Sequence, residues 1–159
     1  MEKEHHYSPQ LIWTGNTGTG TANYKGYDRD HILSVTGKPE IPGSSDPSFR
    51  GNPQRYNPEE LLVSSISSCH MLWYLHLCAV NGVVVVDYKD EATGMMVETA
   101  DGGGYFSEVT LKPIVTITDG GMSERALSLH HDANKLCFIA NSVRFPVNHE
   151  PTIRVGAAV

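Results

Sequence analysis

Residues 57–82 read NPEELLVSSISSCHMLWYLHLCAVNG, and the fold turns on this stretch. Asn57 is a good helix N-cap. Pro58 suits the first helical position, where its missing N–H is no loss, and Glu59 and Glu60 face the positive end of the helix dipole. Leu61, Leu62, Ile66, Met71, Leu72, Trp73, Leu75, Leu77 and Val80 continue in helical composition, and Asn81-Gly82 supplies a stop. From Cys69 onward the segment is apolar nearly all round. That predicts a helix buried on most faces, either centrally or against a second subunit.

On the N-terminal side, residues 1–8 are polar and are expected to be frayed and disordered. Short strands are predicted at Leu11-Ile12-Trp13, at Ala22–Tyr24 and from His31 to Val35. Gly15-Asn16-Thr17-Gly18-Thr19-Gly20 has the glycine content of a phosphate loop. Such loops follow a strand and open a helix, and no helical pattern follows here, so a hairpin turn is expected. Residues 37–58 are rich in Gly, Pro, Ser and Asp. They predict a long loop of about 20 residues, a length that is usually functional or disordered.

On the C-terminal side, Val83 to Glu98 is β-rich, Asp101–Gly104 is a turn, and Tyr105 to Thr118 returns as a strand with Val109, Leu111, Val115 and Ile117 on one buried face. Pro113 on that face suggests an edge or a bulge. A second helix capped by Ser123 carries Leu129, Ala133, Leu136 and Ala140, and a last strand is expected at Thr152–Val155. The order β-β-β-α-β-β-α-β reads as α+β, with the whole chain of 159 residues in one domain.

Composition narrows the function classes. The net charge of -6 argues against a nucleic-acid partner, which needs a basic footprint. No apolar run near 18 residues is evident, so no membrane span is expected. Three cysteines are too few for a disulfide scaffold and, with no secretory signal pattern, suggest a cytoplasmic protein. Cys69-His70, His76, Cys78 and His130-His131 lack zinc spacing such as C-x-x-C, so no metal or other cofactor is expected.

Cys69 and Cys78, nine residues apart on one helix, face opposite sides about 13 Å apart along the axis and cannot bond. Cys78 therefore reads as a core residue. Cys69 and Cys137 lie in two helical patterns that must pack on the same small sheet. Pairing between them is allowed, and two buried thiols are equally allowed. A reactive Cys69 needs a neighbouring cation, and an arginine from the 37–58 loop serves better than His70 or His76 because it stays charged. Arg50 and Arg55 are the candidates there, with Arg29 farther off. Glu59 or Glu60 could hold such an arginine.

At these residues the sequence resembles the osmotically inducible protein C and organic hydroperoxide resistance family (OsmC/Ohr), in its OsmC-like branch. Asn57-Pro58-Glu59-Glu60-Leu61-Leu62 followed by Cys69 looks like the central signature, and Ala133-Asn134-Lys135-Leu136-Cys137 like the second cysteine motif. The likeness runs from about Trp13 to the end of the chain. It implies an OsmC/Ohr-like fold with a central buried helix, an intertwined homodimer and active sites at the subunit interface. It also implies a thiol peroxidase in which Cys69 attacks an organic hydroperoxide and Cys137 resolves it to a disulfide. A dithiol of lipoyl type would recycle that disulfide. By motif position Glu59 matches the family glutamate and Arg50 the family arginine that stabilises the thiolate. Phe138 stands where members often carry Pro, and His70 replaces a small or aromatic residue.

If one guanidinium is to touch both Glu59 and Cys69, about 15 Å apart on a straight helix, a break is required near Ser64–Ser68. The substrate pocket is expected to be apolar, lined by Met71, Leu72, Trp73 and Phe138. A non-catalytic binder of small apolar ligands at a dimer interface is the alternative on the same fold. A Cys-His hydrolase is weaker, because no His is placed to serve Cys69 as base.

Overall fold

A computed structural model describes residues 3–157, and its contacts divide the chain into two compact units, one running to Leu61 and one from Leu62 onward. The predicted fraying of residues 1–8 falls partly on residues 1 and 2, outside the described residues. Residues 3–9 are exposed and without regular structure.

In the first unit, β1 (Gln10–Trp13), β2 (His31–Ser34) and β3 (Ile41–Gly43) form an antiparallel sheet in that order. The glycine run Gly15–Gly20 lies in the long connection of the β1–β2 hairpin, with no helix after it. Ala22–Tyr24, expected as a strand, is turn, and the third strand is Ile41–Gly43 instead. A three-residue strand with Pro42 at its centre carries no alternation, and an edge position tolerates the missing N–H. Among the described residues of this unit, none belongs to the buried hydrophobic core. Leu11, Ile12, Trp13, Ile41 and Tyr56 are all exposed.

Helix α1 (Pro58–Val80) begins on the expected cap. Asn57 Oδ1 accepts the Glu60 N–H (2.8 Å) while Glu60 Oε2 accepts the Asn57 N–H (3.2 Å), a reciprocal capping box. The helix is unbroken, against the expectation of a kink at Ser64–Ser68. The serines do not compete with the helix backbone: Ser65 Oγ donates to the Leu62 carbonyl one turn back, and Ser67 Oγ donates to Asp90.

The second unit continues with β4 (Val85–Asp90), β5 (Thr93–Glu98), β6 (Gly104–Leu111), β7 (Pro113–Ile117), α2 (Ser123–Leu136), β8 (Val147–His149) and β9 (Thr152–Val155). Two three-stranded sheets result, β4-β7-β9 and β5-β6-β8, with β7–β9 and β6–β8 parallel. The α+β class holds, but each long β-rich run divides in two and β8 is added. The division is made at one corner, where Asp90 accepts the Lys112 N–H (2.7 Å) and both chains pass from one sheet to the other. Pro113 is buried at the start of the middle strand β7, where its missing N–H removes no ladder bond, and not at an edge or bulge. The bulge falls in β4, between Val85 and Asp87.

On α1 only Ile66, His70, Tyr74 and Cys78, spaced by four, are fully buried. Ser64, Ser68, Leu72 and His76 form an exposed stripe, so the helix is not covered on most faces. An 18-residue window of α1 has a mean hydropathy of 1.3, long and apolar enough by length and composition to cross a membrane, although no such run was expected. Its buried stripe nevertheless packs as a core helix does. Tyr74 and Cys78 join Val115, Ile117, Ala126 and Leu129 in one cluster, and Ile66 joins Val109 and Leu111 in another. Helix α2 buries Ala126, Leu129, His130 and Ala133. It ends at Leu136, which is exposed, and Ala140 lies beyond it, so the expected stripe holds only at Leu129 and Ala133.

Candidate active site

Cys69 sits half-buried on the flank of α1, between its buried and exposed stripes. Cys137 is fully buried and caps the C-terminus of α2. Its N–H donates to the Ala133 carbonyl, and its extended backbone then turns the chain away. All three cysteines are free thiols. The Cys137 thiol lies beside that of Cys69, and Cys137 Sγ accepts the Ala140 N–H at 3.4 Å. Burial, and then the neighbouring Cys69 thiol, push the Cys137 thiol up to about 11. At neutral pH Cys137 is therefore S–H. That leaves the more accessible Cys69 as the sulfur placed to react.

Cys69 opens onto a cleft of about 570 Å³ lined by Ser65, Ser68, Leu72, Trp73, Phe138 and Ile139, with His76 at one end. Trp73 meets Phe138 edge to face at 5.6 Å and His76 at 5.9 Å. Three of the four expected lining residues are present. Met71 is not. It faces a neighbouring pocket with Ser67 and Asp90, because it points about 100° around α1 from Leu72. Ser65, Ser68, His76 and Ile139 were not anticipated. His76, seven residues or about two turns after Cys69, lies on its face, and that spacing was a usable signal.

Cys78 is buried in the core beneath Tyr74, as expected, and burial raises its pKa. Among the arginines, Arg55 pairs with Asp30 at 3.0 Å and donates to the His31 carbonyl. Arg29 donates to the Tyr27 and Tyr24 carbonyls and lies over both rings. Arg50 is exposed, has no acidic partner among the described residues, and lies 6.0 Å from the Tyr24 ring centroid. It is also the one non-glycine among the described residues with a positive φ, 67°. Such strain collects at functional positions. Glu60 is committed to the cap, whereas Glu59 Oε2 is buried with no hydrogen-bond donor. Because α1 is continuous, Glu59 and Cys69 of one chain stand about 15 Å apart along it. The expected single-protomer relay through one guanidinium is therefore not built.

His70 and His130 are buried together with the partly buried His149 beside them, a group to which sequence spacing gave no clue, whereas His131 is exposed. No group of three or more His, Cys, Asp or Glu among the described residues is arranged to hold a metal ion.

An α+β chain with one thiol lining an apolar cleft and a second, buried thiol beside it defines the class. The family described as OsmC-like protein matches residues 51–152, more than half of the chain, and the protein belongs to that family. An OsmC-like protein of unknown function from Vibrio cholerae O1 biovar eltor is 29% identical, with a TM-score of 0.83 over 93% of this chain and 99% of that one. Organic hydroperoxide resistance proteins from Elizabethkingia anophelis (18% identity, TM-score 0.68, 97% of this chain and 100% of that one) and Legionella pneumophila (19%, 0.66, 96% and 100%) share the fold. No curated protein matches the sequence.

Proposed function

We propose that the protein is a thiol-dependent peroxidase that reduces organic hydroperoxides. The observation that carries this reading is Cys69 lining an apolar cleft with the buried Cys137 thiol beside it. The Cys69 thiolate attacks the distal peroxide oxygen, the O–O bond breaks, and the alkoxide leaves and takes up a proton as the alcohol. Cys69 sulfenic acid then condenses with the Cys137 thiol: an S–S bond forms, the S–O bond breaks, and water departs with the thiol proton. A dithiol of lipoyl type reduces the disulfide by exchange and is itself oxidised. A reducing cytoplasm suits this cycle. The cleft walls of Leu72, Trp73, Phe138 and Ile139 suit a bulky apolar body and give nothing to hydrogen peroxide.

The working unit in this reading is a homodimer. The first unit leaves Leu11, Ile12, Trp13 and Ile41 uncovered and has no hydrophobic core residue, so a second copy is the natural cover. On α1, Ser64 lies midway between Glu59 and Cys69 and begins the exposed stripe. Antiparallel pairing of two α1 helices about Ser64 would bring the partner's Glu59 level with Cys69. Arg50, held by that carboxylate, would then stabilise the thiolate and bind the peroxide oxygens.

The test is hydroperoxide consumption with dihydrolipoamide as reductant. Wild type should consume cumene hydroperoxide faster than hydrogen peroxide, and Cys69→Ser should be inactive. A folded, fully reduced wild type that consumes neither would overturn the reading and leave a ligand-binding cleft.

A further inference from the structure

His70 follows Cys69 on α1, and His130 lies two turns before Cys137 on α2. His70 Nε2 and His130 Nδ1 are hydrogen-bonded at 3.0 Å, and both residues are fully buried. The rings are 5.3 Å apart and inclined by 6°. With that nitrogen contact, the separation places them edge to edge in one plane and not face on face. Tyr74 lies flat on His130 at 3.8 Å, and its hydroxyl donates to the Ala126 carbonyl at 3.1 Å. The two contacts, 70 with 130 and 74 with 126, run in opposite sequence sense. Helices α1 and α2 are therefore antiparallel, and their axial register is set by two directional bonds. A slide of about 2 Å would stretch the imidazole bond beyond useful length. It would also part the two sulfurs, which ride on the same pair of helices.

We propose that His70 and His130 are positioning residues for the resolving step: their hydrogen bond sets the register of α2 on α1 and so holds Cys137 against Cys69. This rests on the peroxidase reading for its place in catalysis, but the geometry itself concerns only the thiol pair. The step it governs is the attack of the Cys137 sulfur on Cys69 sulfenic acid. The S–S bond forms, the S–O bond breaks, and hydroxide leaves as water with the Cys137 proton. Attack of Cys69 on peroxide needs no second sulfur and is not governed by the pair.

Two substitutions separate the hydrogen bond from the ring. His130→Asn keeps a polar atom where Nδ1 stood, and His130→Phe keeps a flat ring under Tyr74 without the bond. Two readouts are used on the whole protein: the rates of sulfenic acid and disulfide formation with cumene hydroperoxide, and the Cys69–Cys137 thiol–disulfide equilibrium against oxidised dithiothreitol. The expected result is a disulfide step slowed about tenfold in His130→Phe, with sulfenic acid formation unchanged. The equilibrium should shift about tenfold toward the dithiol, and His130→Asn should match wild type in both. If His130→Phe forms its disulfide at the wild-type rate, or both variants are slowed alike, the proposal falls. If the peroxidase reading itself fails, no sulfenic acid forms in any variant, and the equilibrium still decides. His70→Gln, which keeps a polar atom at the Nε2 position, should also match wild type and replaces His130→Asn if that does not fold; His70→Phe, which removes the bond from the other side, should show the tenfold loss and replaces His130→Phe.

Discussion

His70 and His130 share one in-plane hydrogen bond inside a region that water does not reach. Burial, reinforced by charge repulsion from His149, lowers the His70 pKa from 6.5 to about 4, and burial with repulsion from His70 and His149 lowers His130 to about 3. Both are neutral in the folded protein at pH 7; Tyr74 and His149 lie against them, with His131 acting on His149 and Tyr88 against Tyr74.

Acid should therefore destabilise the protein earlier than carboxylate titration alone would. The unfolded chain takes up protons on these histidines below about pH 6.5, while the folded one resists until about pH 4. The stabilisation is fully present above 6.5 and is lost as the pH falls through that window, by roughly a few kcal/mol. Urea midpoints measured from pH 7.5 to 4.5 should decline, and the decline should be shallower in His130→Phe. A flat wild-type profile contradicts this.

The two cysteines should be separable by their kinetics. Cys69→Ser removes the attacking sulfur and should lower turnover by roughly a thousandfold or more. Cys137→Ser should still react once with hydroperoxide and stop at sulfenic acid, detectable by mass spectrometry as one added oxygen. Full turnover by Cys137→Ser would assign resolution to the external dithiol.

The exposed ring of Phe138 forms one side of the cleft and rests against Trp73. Phe138→Ala should raise KM for cumene hydroperoxide by about tenfold, the loss of roughly 1–2 kcal/mol of apolar contact, with little change for hydrogen peroxide. An equal loss on both substrates would show that Phe138 supports the thiols and not the substrate.

Arg50 is held at φ 67°, a conformation that glycine adopts without strain. Arg50→Gly should raise the stability by about 1 kcal/mol while lowering the rate of Cys69 oxidation. Thermal melts and peroxide-oxidation rates on the same preparation check both signs. A variant with undiminished activity would remove Arg50 from the site.

A site shared between protomers predicts complementation. Cys69→Ser and Glu59→Gln should each be nearly inactive alone. Mixed through unfolding and refolding, half of the dimers would carry one intact site, and about a quarter of wild-type activity should return. If no activity returns although mixed dimers form, the shared site is excluded.

Much of this was determined by local sequence. The Asn57-Pro58-Glu59-Glu60 start of α1, the alternation of Val109, Leu111, Val115 and Ile117, and the exclusion of a Cys69–Cys78 bond depend on backbone periodicity and capping within a few residues. Those signals survive without knowledge of neighbours. Tertiary structure decided what lies across long separations. Ser64–Ser68 stays helical with the Ser65 hydroxyl bonded one turn back, the Ser67 hydroxyl on Asp90, and Ser64 and Ser68 exposed. Met71 leaves the cleft, and His76 and Ile139 enter it, because packing selects which flank of an all-apolar helix is covered. The proximity of Cys69 to Cys137 and the hydrogen bond between His70 and His130 each join residues more than 50 positions apart. No local propensity encodes such pairs. They exist only once the shared core sets the register of α2 against α1.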